Sequence, residues 1–191
     1  AGLVLRYPGV AAPALAGVSV ALDQGELVAV VGPNGSGKTT LLRALLGSQH
    51  LEAGAVEVEG RPLDQWRPRE LARVVGVVTQ REEILFPLTV RETVELGRYA
   101  HLGPLGGQRD TDHTAVAQAL QRADVFSLAE RRTDTLSGGE WQRVRVARAL
   151  AGACGHRARR AGLGTVDASY GRMPRRKRLQ QAWIAARAAN W

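Results

Sequence analysis

Eight residues, Gly32-Pro33-Asn34-Gly35-Ser36-Gly37-Lys38-Thr39, fit the pattern G-x-x-x-x-G-K-[ST] without a mismatch, and their flanks constrain the fold as much as the motif does. Glu26 to Val31 is a nearly unbroken apolar run, as expected of a parallel strand buried on both faces. From Lys38 onward, Leu41, Leu42, Leu45 and Leu46 recur at helical spacing until Gly47. Strand, glycine loop and helix in that order predict an α/β fold of the P-loop NTPase class. Phosphate oxygens need several convergent donors. Glycines let backbone N–H groups turn inward at a helix N-terminus, whose partial positive charge adds attraction. Lys38 is then placed to reach the β and γ phosphates as a point charge, and the Thr39 hydroxyl to ligate Mg2+. Gly32 through Thr40 are the candidate phosphate-binding residues. A glycine turn that merely caps a helix is the plainer reading, and the flanking strand and helix weigh against it.

The remaining text supplies more elements of the same kind. Leu3 to Arg6 and Val18 to Leu22 read as short strands of a β-rich edge, and Ala55 to Val58 and Val74 to Val78 as further strands. A short helix over Pro68 to Ala72 precedes the last of these. Thr79 to Thr89 has no periodicity and reads as a loop. Val90 to Tyr99 and Asp112 to Ala123 turn helical around a glycine-rich stretch at Gly103 to Gly107, predicting a small helical subdomain over about residues 90–135. Glu140 to Ala151 predicts another helix, with Val144, Ala147 and Ala151 inward and Arg143, Arg145 and Arg148 outward.

With 191 residues, 45% of them apolar, one core is expected. The formal charge of +8 is unevenly placed. Of 26 basic and 18 acidic side chains, nine basic and one acidic lie beyond residue 150, leaving 17 of each in the body. The neutral body argues against a nucleic-acid partner. A single cysteine, Cys154, cannot form an intramolecular disulfide, and a reducing cytoplasm is the simplest setting. No secretory leader opens the chain and Ala1 is not an initiator Met, so a few native residues are expected to be missing. Apolar runs break well before the roughly 20 residues that span a bilayer, so a membrane role is expected to come through a partner.

About a hundred residues after the glycine loop stands Leu136-Ser137-Gly138-Gly139-Glu140. Alone it reads as an N-cap serine before a helix. Together with the phosphate loop it resembles the signature of the ATP-binding subunits of ABC transporters, in which two subunits close head to tail around two ATP molecules. The resemblance implies that Ser137, Gly138, Gly139 and Glu140 meet the γ phosphate held by the other subunit. It continues through Glu140-Trp141-Gln142-Arg143-Val144 to Leu150, although Trp141 stands where a polar residue is more usual. Gln80 falls at the spacing of the family's Q-loop glutamine, which contacts Mg2+ and the attacking water; a solvated loop glutamine is the alternative. Tyr7 resembles the aromatic that stacks on adenine, and a core or rim tyrosine is the competing reading. Arg61-Pro62-Leu63-Asp64-Gln65-Trp66, Phe86-Pro87-Leu88-Thr89-Val90 and Leu96-Gly97-Arg98 are similar to importers of iron chelates, haem or cobalamin. The resemblance further implies ATP and Mg2+ as cofactors, an integral membrane permease as partner, and a cytoplasmic position on the inner face of the membrane.

One family element has no counterpart. An apolar strand ending in Asp-Glu is expected about ten residues after Leu150, where the chain has His156-Arg157-Ala158-Arg159-Arg160-Ala161. The Asp orients Mg2+ and the Glu polarises the nucleophilic water, so hydrolysis by this chain is in doubt. The catalytic residues are therefore left open, with Gln80 as a candidate and Asp167 a poor substitute for the Asp. The family's switch histidine is likewise unmatched by His50, His101, His113 or His156. Residues 1–151 are expected to form an incomplete ABC domain lacking the C-terminal part of its core. Residues 152–191 are expected to be a basic, poorly ordered tail, out of frame or foreign to the domain. Two further readings stay open: a non-hydrolysing nucleotide-binding module, and a soluble ABC-type ATPase acting on nucleic acid or ribosomes.

Overall fold

The computed structural model describes residues 1–153 apart from 24, 80–85, 87 and 104–106. The chain divides into two compact units, one beginning with Ala1–Trp66 and the other with Arg67. Gln80, Asp167, His156 and the basic tail after Ala153 lie outside the described residues.

In the first unit, β1 (Leu3–Leu5) pairs antiparallel with β2 (Leu15–Val18), with Leu5 opposite Leu15. Leu3 and Leu5 point to the same side, as alternate residues of a strand must, and both are buried. They meet Leu15, Leu41, Ala44 and Val56 in one apolar cluster. Leu41 and Ala44 come from α1 (Lys38–Leu45), three residues apart on one helical face. Gly47 ends α1 at φ +69°, and the N–H of Ser48 bonds back to Arg43 O at 3.0 Å. A second two-stranded ladder joins β3 (Glu57–Val58) to β4 (Arg61–Pro62).

Several expected strands are corrected here. Pairing occurs at Leu15–Val18, not over Val18 to Leu22, and the Ala55 to Val58 strand is reduced to two residues. Glu26 to Val31 forms no ladder among the described residues. The run still alternates: Val28 and Val30 pack on the apolar cluster, whereas Leu27 and Val31 are 76% and 64% exposed. The reason is that a strand buried on both faces requires a neighbour at each edge, and none is paired to it among the described residues. Val74 to Val78 is likewise unladdered, with Val77 and Val78 exposed.

The second unit is helical: α2 (Pro68–Leu71), α3 (Val90–Glu95) continuing as a 3-10 segment over Leu96–His101, α4 (Asp110–Arg122) and α5 (Gly138–Ala153). Thr89 starts α3 with a capping box, accepting the Glu92 N–H at 3.2 Å while its own N–H donates to Glu92 Oε2 at 2.7 Å. Val90, Val94, Val116, Ala119, Leu120, Val144, Ala147 and Ala151 form the core. The expected inward face of α5 is correct in these three positions, but Arg145 is not outward. It is 5% exposed, and its NH1 donates to Gln142 Oε1 at 2.9 Å.

Arg98 is the second buried cation. Its NH2 lies 2.7 Å from Asp112 Oδ1 and its Nε donates to the same oxygen at 2.8 Å, while NH1 donates to Ala151 O at 2.8 Å. His101 Nε2 approaches Gly152 O at 2.7 Å. Two side chains of the 96–101 segment thus reach carbonyls near the end of the described part of α5. Gly97 makes the approach feasible, because a Cβ there would fall inside contact distance of Arg148 O.

Candidate functional site

The glycine loop of the first unit is shaped as its sequence demands. Gly35 and Gly37 adopt φ +82° and +84°, values that a side-chain-bearing residue reaches only with strain. Gly37 is also the N-cap of α1, and a Cβ on it would sit 2.6 Å from Ala14 O. A Cβ on Gly32 would sit 2.6 Å from Ser36 Oγ. Bare backbone therefore lines the cradle. Gly32, Pro33, Asn34, Gly35 and Ser36 are exposed, as a loop meeting a ligand must be, whereas Gly37 and Lys38 are half-buried at the helix start. Lys38 folds back over the loop, donating from Nζ to Gly32 O at 2.8 Å, Pro33 O at 2.6 Å and Ser36 Oγ at 3.3 Å. Its charge is held where α1 points its positive end.

Thr39 is exposed at the first turn of α1 and Thr40 is buried. Tyr7 lies against the same helix: its hydroxyl is 3.2 Å from Thr40 Oγ1, and its ring packs on the first unit's apolar cluster. The bond to Thr40 draws the phenol below its ordinary range, with Arg43 adding to the effect.

The second cluster lies in the other unit. Ser137 precedes α5, and Gly138 and Gly139 form its first turn, all three exposed. The Ser137 hydroxyl donates to Glu140 Oε2 at 2.7 Å, and the Glu140 N–H returns to Ser137 Oγ at 3.3 Å. This reciprocal pair is a capping box, so the plain N-cap reading holds for the local structure. The donations from Ser137 hold the Glu140 carboxyl below the usual range, helped by Arg131 and Arg143.

Each unit therefore gathers its own candidates, Tyr7 and Gly32 to Thr40 in one, Ser137 to Glu140 in the other. Gln80 is outside the described residues. Sequence reasoning passed over Arg131, whose guanidinium contacts both flanks of the Ser137 loop, because nothing in local periodicity marks that contact. The second unit also holds a cleft of about 860 Å³ lined in part by Arg69, Arg73, Arg98, His101 and Arg109, and none of the candidates above lines it. No group of three or more His, Cys, Asp or Glu side chains with metal-ligating geometry occurs among the described residues. The glycine-lined cradle, without Cβ atoms at Gly32, Gly35 and Gly37 and with an ammonium at its mouth, fits a polyphosphate. The exposed Thr39 hydroxyl beside it is of the chemistry that ligates a hard divalent cation.

Comparison with known proteins gives a consistent picture. The ABC transporter family matches residues 15–154. The hemin import ATP-binding protein HmuV of Nocardia farcinica is 45% identical over 153 residues, covering 78% of this chain and 52% of that protein. HmuV of Streptomyces coelicolor is 45% identical over 139 residues, covering 73% of this chain and 49% of that protein. The chain spans about half the length of these curated relatives. Among solved structures, the ADP conformation of MJ1267, an ATP-binding cassette of an ABC transporter, superposes with a TM-score of 0.68 at 26% identity, covering 79% of this chain and 63% of that one. CbiO1 from Clostridium perfringens, part of the ABC transporter complex CbiONQ, superposes with a TM-score of 0.68 at 28% identity, covering 78% of this chain and 59% of that one.

Proposed function

This chain belongs to the ABC transporter family of ATP-binding proteins, and from that premise we propose that it is the nucleotide-binding subunit of an importer for an iron chelate, haem or cobalamin. The observation that carries the reading is the Gly32–Thr39 loop, with its two positive-φ glycines and the Lys38 ammonium drawn across it. Two curated relatives at 45% identity, both named for hemin import, support the substrate class.

Magnesium nucleotide supplies the charge that the subunit reads, and the chain's own groups do the recognising. The backbone N–H groups around Gly35 to Lys38 donate to phosphate oxygens, and Lys38 exchanges the carbonyls of Gly32 and Pro33 for those oxygens. The Thr39 hydroxyl ligates the cation, Gln80 contributes from the Q-loop, and Tyr7 lies at the adenine side. Thr40 fixes the Tyr7 hydroxyl. Ser137, Gly138, Gly139 and Glu140 serve the nucleotide of a second subunit, arranged head to tail. An integral membrane permease is the other partner, no nucleic acid is required, and the subunit works from the cytoplasm on the inner face of the membrane.

We assign residues 1–151 to the ABC domain, with its helical subdomain over about 90–135, and residues 152–191 to a basic tail. Binding is assigned ahead of hydrolysis, because the chain has His156 to Ala161 where the family's Asp-Glu strand is expected. Calorimetry with MgATP and a phosphate-release assay, each repeated on Lys38→Ala, test the reading. Lys38-dependent binding supports it, and absence of binding by the folded chain refutes it.

A further inference from the structure

The Ser137 hydroxyl is already committed before any nucleotide arrives. Its Oγ donates to Glu140 Oε2 at 2.7 Å, and its backbone N–H donates to that same oxygen at 2.7 Å. The other carboxylate oxygen, Oε1, lies 3.6 Å from Arg131 NH1. Arg131 also donates from Nε to Thr135 Oγ1 at 3.1 Å and from NH2 to Thr135 O at 2.8 Å. One guanidinium therefore touches the chain on both sides of Leu136 to Gly139.

The backbone beneath Arg131 is fixed. Val90 N–H donates to Arg131 O at 2.9 Å and Arg91 N–H to Ala129 O at 2.9 Å. Thr133 donates to Leu88 O from both its N–H and its hydroxyl, each at 2.9 Å. An arginine anchored in this way by its main chain, and by two donors to Thr135, has little freedom to wander. Its NH1 is left facing the carboxylate.

Charge and proton count decide what this arrangement can do. A serine hydroxyl has one proton to donate. A phosphate oxygen reaching the Gly138 and Gly139 N–H groups competes with Glu140 for that proton and brings a second anion beside the carboxylate. When Ser137 turns to the phosphate, Glu140 loses its hydroxyl donor and faces like charge. Arg143 on the same helix adds to the field, and Arg131, ion-paired to Glu140 Oε1 at 3.6 Å, is the cation in position to hold it.

We propose that Arg131 is a positioning residue of this loop, taking up the Glu140 carboxylate when the Ser137 hydroxyl turns to a nucleotide phosphate held by a second copy of the chain. The proposal rests on the reading that the loop meets nucleotide across a subunit interface. Arg131 itself need not touch the phosphate.

A double-mutant cycle on the full chain tests it, using Arg131→Gln, Glu140→Gln and the pair. The readout is MgATP-dependent self-association by sedimentation, with MgATP binding to the separate chain followed by calorimetry. Arg131→Gln weakens association about tenfold in the native background and less than about twofold when Glu140→Gln is present. The loss is confined to association, and Arg131→Lys, which keeps the charge, recovers part of it. Equal losses in the two backgrounds overturn the proposal. If Arg131→Gln does not fold, Arg131→Lys in both backgrounds makes the same comparison, and equal losses there count against it in the same way. A native chain that binds MgATP yet never associates in response overturns the interface reading, and the proposal with it.

Discussion

The Lys38 ammonium lies 2.6 Å from the carbonyl oxygen of Pro33, five residues earlier in the same loop. With Gly32 O and Ser36 Oγ, it holds the loop closed upon itself. On the proposed reading, nucleotide capture at this site is an exchange of oxygens: the ammonium gives up carbonyls and gains phosphates.

Lys38→Ala removes both roles of the ammonium. The loop loses its internal tie, and the phosphates lose a charge-assisted donor. MgATP affinity falls by about ten- to a hundredfold, while ADP, which lacks the γ phosphate, loses less. Titration calorimetry with the two nucleotides checks the ordering.

Gly37→Ala separates the backbone requirement from the chemistry. At φ +84°, with a Cβ only 2.6 Å from Ala14 O, the alanine is both strained and clashing. A loss of about 1–3 kcal/mol follows, read as a lower urea midpoint in the absence of any nucleotide.

Arg98→Ala strands the Asp112 carboxylate in the core and frees Ala151 O. Breaking a buried pair from one side costs about 3–5 kcal/mol. Arg98→Met combined with Asp112→Asn removes the charge from both sides and keeps an acceptor for the Arg109 N–H, which now bonds Asp112 Oδ2 at 3.0 Å. The double variant unfolds at a higher urea concentration than the single one.

Stability falls on acidification, in two steps of the same sign. Burial holds His101 below its ordinary value, with Arg98 and Arg73 adding repulsion against the opposing bond to Gly152 and the attraction of Asp112. The unfolded chain therefore takes up a proton first, and stability drops as pH falls from about 6.5. Burial raises the Asp112 carboxyl, but the Arg109 N–H and Arg98 outweigh it and leave the group below its usual range. That contribution persists above the ordinary carboxylate value and disappears as pH falls through the folded one. Urea midpoints between pH 8 and pH 3 record both steps, and His101→Gln removes the upper one.

What could be seen in the chain beforehand depends on how local the cause is. The Gly32–Thr39 loop and α1 follow from residues within a dozen positions, and they fold as the motif requires. The capping boxes at Thr89 and Ser137 are legible for the same reason. Glu26 to Val31 misled, because its apolar run specifies a buried strand only if partners flank it, and Leu27 and Val31 stand exposed instead. Arg145 misled in the opposite direction. Helical periodicity placed its charge outward, yet the side chain is buried and bonds Gln142 on its own helix, a tertiary outcome that periodicity does not encode. Arg131 and Arg98 were invisible as site or core residues, since their partners are named only once the chain has folded.

Arg98 reaches Asp112 across 14 positions and Ala151 across 53. Both loops must close before its guanidinium can shed water, so these bonds belong late on the route to the native state. Bonds made that late resist unfolding more than they speed folding, so Arg98→Ala is expected to shorten the native lifetime of the second unit more than it slows its formation.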